Sequence, residues 1–148
     1  MTINAQRDKS VVLIASKSNT NSVTTTANLD CLGADYAVID INLGVEKNSS
    51  AIGPTIILKE GDTTSSFATW SSSCTITGAD GDLVAAKSVR FLVDTRVRKR
   101  YLQLSLATAT ATNDDVTWGA MASLGRLAET PSSTSDMVNT TNDIVRIL

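Results

Sequence analysis

Residues 36–43 read YAVIDINL and carry the clearest structural signal in the chain. Four aliphatic residues, Ala37, Ile39, Ile41 and Leu43, occupy every second position of this stretch. A period of two is that of a β-strand, in which successive side chains point to opposite faces of the sheet. Glycines lie close to both ends of the stretch, and glycine favours chain reversal. The stretch therefore predicts a strand with one buried face.

The same alternation recurs along the rest of the chain, separated by clusters of turn-favouring residues. Clear strands are predicted at Val89–Asp94, Tyr101–Leu106 and Val116–Leu124. Weaker patterns predict strands at Val11–Ser16, Ser22–Leu29, Thr55–Lys59, Phe67–Trp70, Thr75–Thr77 and Ile144–Leu148. Turns are predicted at Lys17–Asn21, Glu60–Ser66, Gly78–Asp82 and Ala111–Asp115. Short strands spaced about ten residues apart predict an all-β, single-domain antiparallel β-sandwich or barrel of the jelly-roll kind.

Composition supports the same fold class and limits the partners. The 148 residues fit one domain, and Ser and Thr make up 37 of them, with only two prolines. Thr suits the exposed face of a sheet, while Ser favours turns. The net charge of −2 gives no general attraction to nucleic acid. No apolar run is long enough for a transmembrane helix. From the charge we expect no nucleic-acid partner, and from the missing apolar run we expect no membrane partner.

The start of the chain and the two cysteines bear on the compartment. Met1–Ser10 is polar and lacks the apolar region of a secretory signal, which favours synthesis and initial retention in a cytoplasm. Cys31 and Cys74 are too few for a disulfide framework and too widely spaced for a metal motif. Two buried free thiols are the favoured interpretation, although a disulfide between them stays open.

The chain contains no histidine, which argues against an enzyme. Histidine is the commonest general base and a common zinc ligand. Paired acids occur at Glu60–Asp62, Asp80–Asp82 and Asp114–Asp115, all in predicted turns where Asp bonds to the backbone. No phosphate-binding glycine loop or nucleophile elbow is present. We therefore expect no catalytic residues, no cofactor and no metal site.

One run of basic residues could form a contact surface. Arg96, Arg98, Lys99 and Arg100 lie between two clear strands, so they are expected to project from the end of a hairpin. They could contact an acidic protein surface or phosphate, or they could form a solvated loop beside acids such as Asp94. Nucleic-acid binding would require stacking aromatics, and only Tyr101 is near. A protein–protein ion-pair contact is the favoured role.

The two ends of the chain are predicted to differ from its centre. Residues 1–9 are interpreted as an N-terminal arm, 10–127 as the β-sandwich domain and 128–148 as a C-terminal extension. The extension ends in four aliphatic residues, Ile144, Val145, Ile147 and Leu148. They could close the sheet of their own domain or reach a neighbouring subunit. Both alternatives predict that removing the last five residues weakens the fold or the particle.

Three stretches resemble the head decoration, or cement, proteins of tailed bacteriophages. They are DYAVID at residues 35–40, DTRVRKRYL at residues 94–102, and the strand 118–127 with LGRL at its end. The resemblance covers about two-thirds of the chain, from Asp35 to Leu127, and is one of pattern without a diagnostic motif. It carries over no catalytic or binding residue.

This resemblance implies a structural role on a virion. Decoration proteins of this group are β-sandwiches or barrels, often homotrimers, that bind between major capsid protein subunits and reinforce the shell. It therefore implies a protein of the capsid surface, assembled in the host cytoplasm, with the major capsid protein and its own copies as partners. Two alternatives remain: another virion component, such as a head–tail connector or tail protein, and a receptor- or glycan-binding β module that would stack sugars on Trp70 or Tyr36.

Overall fold

The computed structural model describes residues 9–20, 22–45, 54–77, 86–108, 115–125 and 144–148, which form ten β-strands and two single turns of 3-10 helix. The strands are β1 (Lys9–Asn19), β2 (Thr24–Asp30), β3 (Tyr36–Leu43), β4 (Thr55–Thr63), β5 (Ser66–Ala68), β6 (Thr75–Ile76), β7 (Lys87–Asp94), β8 (Tyr101–Ala107), β9 (Val116–Gly125) and β10 (Ile144–Ile147). The helical turns are Ser72–Cys74 and Thr95–Val97. Within these ranges, no helix has the length and hydropathy to cross a membrane.

The strands pair in two sheets that face each other. The first sheet has the order β1-β9-β3-β7-β10, and the second has the order β2-β8-β4-β5, with β6 also paired to β4. Every described pairing is antiparallel except that of β10, which runs parallel to β7. The predicted all-β sandwich is confirmed, with one parallel edge strand.

Strand β3 lies at the centre of the first sheet with the predicted bounds. Its middle residue Ile39 is paired with Phe91 of β7 on one side and with Ala122 of β9 on the other. The predicted inward residues of β3 are all buried. A strand with neighbours on both sides satisfies its backbone hydrogen bonds in the sheet, so alternation alone was enough to identify it.

The inward side chains of the two sheets form one continuous core. From the second sheet it includes Leu102, Leu104 and Leu106 of β8, all essentially inaccessible to solvent. From the first sheet it includes Trp118 and Phe91, the largest fully buried side chains. A smaller cluster lies on the outer side of the first sheet, where Tyr36 and Leu92 are buried and Val38 packs against them. The outward positions of β3 are therefore less polar than simple alternation predicts.

Two predicted turns are shorter in the structure or absent. The turn predicted at Lys17–Asn21 is wrong for its first part, because β1 continues to Asn19 and pairs with β9. The turn predicted at Glu60–Ser66 narrows to residues 64–65, because β4 extends to Thr63 and β5 begins at Ser66. In both places polar side chains on a strand resembled a loop. The turn at Gly78–Asp82, and that at Ala111–Asp115 apart from Asp115, lie outside the described residues.

Most of both predicted terminal segments also lies outside the described residues. Residues 1–8 and 126–143 are not described, whereas Lys9 begins β1. The division into 1–9, 10–127 and 128–148 therefore stays a prediction. The last residues of the extension are described as β10, which occupies the edge of the first sheet beside β7.

Candidate protein interface

Two loops close one end of the sandwich, and we call them together the tip: residues 31–35 and 95–100. The first loop leads from β2 to β3 and the second from β7 to β8. Each loop crosses from one sheet to the other, because β2 and β8 belong to the second sheet and β3 and β7 to the first. The basic loop therefore does not end a hairpin, as the sequence suggested, but bridges the two layers.

Hydrogen bonds fasten the two loops of the tip to each other. Three of them run between the loops: Cys31 N–H donates to Arg100 O at 2.9 Å, Thr95 N–H to Asp35 O at 3.1 Å, and Thr95 Oγ1 to Ala34 O at 2.7 Å. Thr95 is itself buried, with 7% of its surface exposed. Because these bonds join both ends of one loop to both ends of the other, the tip forms one unit.

The first loop makes a tight turn around a glycine. Ala34 N–H donates to Cys31 O at 3.0 Å, which closes a four-residue turn. Gly33 lies third in this turn with φ of +78°, a left-handed conformation that side chains other than glycine's disfavour. Leu32 lies second, and its N–H donates to Asp30 Oδ1 at 3.0 Å. The turn fixes the Leu32 backbone while its side chain stays exposed.

The second loop begins with a single helical turn capped by an acid. Asp94 Oδ1 accepts from Arg96 N–H at 3.1 Å, as expected of an N-cap side chain. Arg98 N–H then donates to Thr95 O at 3.2 Å and ends the turn. Val97 lies between these anchors, with its side chain exposed.

Each of the four predicted basic residues has an acidic partner within the chain. The pairs are Arg96 with Asp94 (Nη2–Oδ2, 2.6 Å), Arg98 with Glu60 (Nη1–Oε2, 4.0 Å), Lys99 with Asp62 (Nζ–Oδ2, 2.7 Å) and Arg100 with Asp30 (Nη2–Oδ2, 2.7 Å). Four cations are thus matched by four anions. The charges of the four basic residues are therefore compensated within the chain, and the tip also contains the acid Asp35. Its role in an interface stays a prediction.

The geometry of these pairs explains the pKa shifts at the tip. Arg100 donates two hydrogen bonds to the Asp30 carboxylate, from Nε and Nη2, and Leu32 N–H donates a third. The Arg100 hydrogen bond, aided by Leu32, lowers the pKa of Asp30 from 3.8 to about 2. The pKa of Asp94 is lowered in the same direction, first by its hydrogen bond from Arg96. Both carboxylates therefore stay ionised well into the acidic range.

Arg98 and Arg100 also lie against aromatic rings, those of Trp70 and Tyr101 respectively. The guanidinium carbon of Arg98 lies 5.0 Å from the centre of the Trp70 ring, within cation–π range. Glu60, its acidic partner, also accepts from Lys99 N–H at 3.1 Å. Trp70 is half-buried against the core beneath this cluster. Trp70 therefore joins the core on one side and contacts Arg98 with its ring.

The C-terminal residues predicted as an interface lie at the edge of the first sheet. Ile144, Val145 and Ile147 belong to β10, and Leu148 follows it. Leu148 N–H donates to Leu92 O at 2.7 Å, and Asp94 N–H donates to Leu148 O at 3.0 Å. The described chain therefore places this strand in its own domain, next to the strand that leads into the tip. Whether these residues contact another subunit stays a prediction.

The structure also describes both cysteines and one of the acid pairs that the sequence singled out. Cys31 and Cys74 are free, buried thiols in the core, and burial raises the pKa of Cys31 to about 12. Of the acid pairs singled out in the sequence, Glu60 and Asp62 bind Arg98 and Lys99. No group of three or more His, Cys, Asp or Glu suited to a metal ion occurs among the described residues.

Sequence analysis did not single out Leu32 and Val97. Both are large hydrophobic residues that remain mostly exposed at the tip. Leu32 lies beside a glycine and Val97 between two arginines, so neither contributes to a periodic pattern. The turn signal of Leu32-Gly33 was visible in the sequence, but the exposure of the leucine was not.

No family model and no curated protein matches this chain. Its fold is similar to solved viral capsid proteins at low identity. The crystal structure of the infectious bursal disease virus VP2 subviral particle gives a TM-score of 0.46 at 14% identity, covering 80% of this chain and 32% of that one. The structure of the infectious bursal disease virus Gx strain gives 0.43 at 15% identity, covering 84% and 34%. The Tobacco streak virus coat protein gives 0.39 at 11% identity, covering 91% and 97%.

The chain therefore spans about one third of the length of the two bursal disease virus chains. At identities of 11–15% the similarity to these three proteins is one of fold.

Proposed function

We propose that the protein is a structural virion component that binds between major capsid protein subunits and stabilises the shell, as a decoration or cement protein does. The observation that carries the proposal is the meeting of the three stretches that resemble such proteins. They are separated in the sequence, yet they join at the tip end of the sandwich. Asp35 N–H donates to Gly125 O at 3.1 Å, and Asp35 O accepts from Thr95 N–H at 3.1 Å.

The strand register supports the same point. Tyr36, at the start of β3, is paired with Asp94 of β7 on one side and with Gly125 of β9 on the other. Each of these three residues comes from a different resembling stretch. A resemblance that reflected composition alone would have no reason to converge on one place in the fold. We take the convergence as support for a shared structural unit.

A cement protein has to hold neighbouring capsid subunits together, and a rigid structural unit suits that role. A rigid sandwich keeps its shape while it contacts several neighbours, and a symmetric shell offers the same contact many times. Attachment is then tight even when each contact is modest. We propose a homotrimer on the capsid surface, with the major capsid protein and its own copies as partners.

The two aromatic rings on which the glycan-binding alternative depends, those of Tyr36 and Trp70, are both covered. Tyr36 is buried with 5% of its surface exposed. Trp70 is covered by the guanidinium of Arg98. Sugar recognition by β modules relies on exposed aromatic faces, so this alternative is not favoured.

Binding to shells tests the proposal. The purified protein is mixed with empty shells assembled from the capsid subunit encoded in the same genome, and the pellet is analysed after sedimentation. We expect saturable binding at a fixed ratio to the capsid subunits, and a discrete oligomer by light scattering. A protein that stays monomeric and remains in the supernatant would refute the proposal. Immunogold labelling of a connector or tail instead of the shell would favour the other virion components.

A further inference from the structure

Leu32 and Val97 are the two most exposed large hydrophobic residues in the described part of the chain, at 72% and 68% of their surface. Both lie at the tip, one in each loop. The bond from Cys31 to Arg100 lies on one side of them, and the bonds from Thr95 to Ala34 and Asp35 lie on the other. The two side chains therefore belong to one small surface at the end of the sandwich.

This surface is rigid although it is made of loops. Leu32 is held by the Gly33 turn and by the Asp30 carboxylate that accepts from its N–H. Val97 is held by the turn that Asp94 caps. An apolar side chain on a fixed backbone loses little conformational freedom on binding, so the entropy cost of a contact through this surface is small. The buried core of a protein interface is apolar and its rim is polar, so two rigidly held aliphatic side chains suit the centre of a contact.

The charges around the two aliphatic side chains indicate what kind of partner fits. Arg96, Lys99 and Arg100 are each bound to a carboxylate of the same chain at 2.6–2.7 Å. Phosphate groups of nucleic acid or lipid would have to compete with these carboxylates for the cations. A protein surface with an apolar depression needs no such exchange and leaves the ion pairs as a polar rim. The compensated charge of these cations thus favours a protein partner over a phosphate-bearing one.

The size of the surface indicates how that partner is organised. A stable interface between two proteins usually buries about 800 Å² on each side. Two aliphatic side chains and the turns around them supply only a fraction of that area. One isolated contact through the tip would therefore be weak, whereas several simultaneous contacts with a repeating surface would hold.

We infer that the tip is the docking face of the protein, and that Leu32 and Val97 insert into an apolar depression repeated on the subunits of the shell. The inference rests on the proposed function and assigns a face and two anchor residues to it. Arg96, Lys99 and Arg100 serve as the rim, through pairs formed within the chain. They do not themselves supply the attraction.

Serine substitutions test this assignment. The full chain is compared with Leu32→Ser, Val97→Ser and the double variant in binding to the empty shells described above. Val45→Ser is the matched control, because Val45 is also exposed, at 56%, and lies beyond the opposite end of β3. We expect each tip variant to bind at least about tenfold more weakly, because serine removes apolar area that would be buried in the contact. The double variant should fail to pellet, and the control should bind like the original chain. Urea unfolding midpoints should agree for all four variants, since the substituted side chains are exposed.

The possible failures can be told apart. If the original chain does not bind shells, the proposed function is refuted and the inference with it. If the original chain and the double variant bind equally well, the function stands and the docking face is wrong. Two other partners are checked with the same variants. Tip-dependent self-association in sedimentation without shells would assign the surface to a second copy, and tip-dependent binding to phosphatidylserine vesicles would assign it to a membrane. Either result would overturn the inference.

Discussion

Replacing Thr95 by valine should loosen the tip while leaving the sandwich folded. Valine has nearly the shape of threonine but cannot donate the hydrogen bond to Ala34 O, which is 2.7 Å long. The side chain is buried, so water does not readily replace the lost partner. The substitution therefore removes one of the three bonds that join the two loops, without creating a cavity.

The expected loss follows from that single bond. A neutral hydrogen bond contributes a net ~0.5–1.5 kcal/mol, and leaving a buried acceptor unpaired costs ~1–3 kcal/mol. Ala34 is only half-buried, so its carbonyl regains part of its hydration. We expect the free energy of unfolding to fall by about 1–2 kcal/mol. In a chain of this size that lowers the Tm by roughly 3–6 °C.

Thermal unfolding and amide hydrogen exchange measure the effect. Thr26→Val is the control, because it makes the same chemical change at an exposed position of β2 and should shift the free energy by less than about 0.5 kcal/mol. Exchange should accelerate in residues 31–35 and 95–100 of the Thr95 variant, while the central strands stay protected. Equal Tm values for the two variants, with unchanged exchange at the tip, would refute the view that Thr95 fastens the loops.

Three further predictions follow from the structure. The hydrogen bond from Arg100 lowers the pKa of Asp30 to about 2, so the stabilisation by this ion pair is present above pH 3.8 and is lost as the pH falls towards 2. Asp30→Asn should therefore flatten the acid side of a curve of unfolding free energy against pH. An unchanged slope would contradict this expectation. Burial keeps the Cys31 thiol protonated, so iodoacetamide at pH 8 should label it only after unfolding in urea, and rapid labelling of the native protein would count against burial. Gly61→Ala would drive a Cβ into the carbonyl oxygen of Ser66, so its urea midpoint should correspond to a loss of about 1–3 kcal/mol; a midpoint equal to that of the original chain would show that the hairpin yields freely.

The strands could be predicted best where they are paired on both sides and also alternate strictly along their whole length. β3 has the predicted bounds, and β9 differs from its prediction by one residue, because each is paired on both sides and alternates strictly. β1 was predicted to end too early, since the residues from Lys17 to Asn19 are polar. β1 is an edge strand whose last residues are held by their ladder to β9 rather than by hydrophobic side chains, and a ladder leaves no mark on the composition.

The tip could be predicted only in part, for a different reason. The basic loop was found because its residues are consecutive. Three of its acidic partners, Asp30, Glu60 and Asp62, lie between 37 and 70 positions away in the sequence, so nothing local pairs them with the loop. Only Asp94, two positions from Arg96, was identified as a neighbour beforehand. Contacts made by sheet topology, rather than by spacing, are what a single sequence does not reveal.

The internal pairing of charge also changes how the basic loop would act in an interface. An unpaired guanidinium that approaches an apolar partner loses its hydration without compensation, which costs free energy. At the tip this cost is reduced, because Arg100 already holds Asp30 through two hydrogen bonds and Arg96 holds Asp94 in the same way. The matched pairs can border a dry contact while Leu32 and Val97 fill its centre. The basic residues then act by making the end of the sandwich rigid with their own charges compensated, so that two aliphatic side chains can contact a partner.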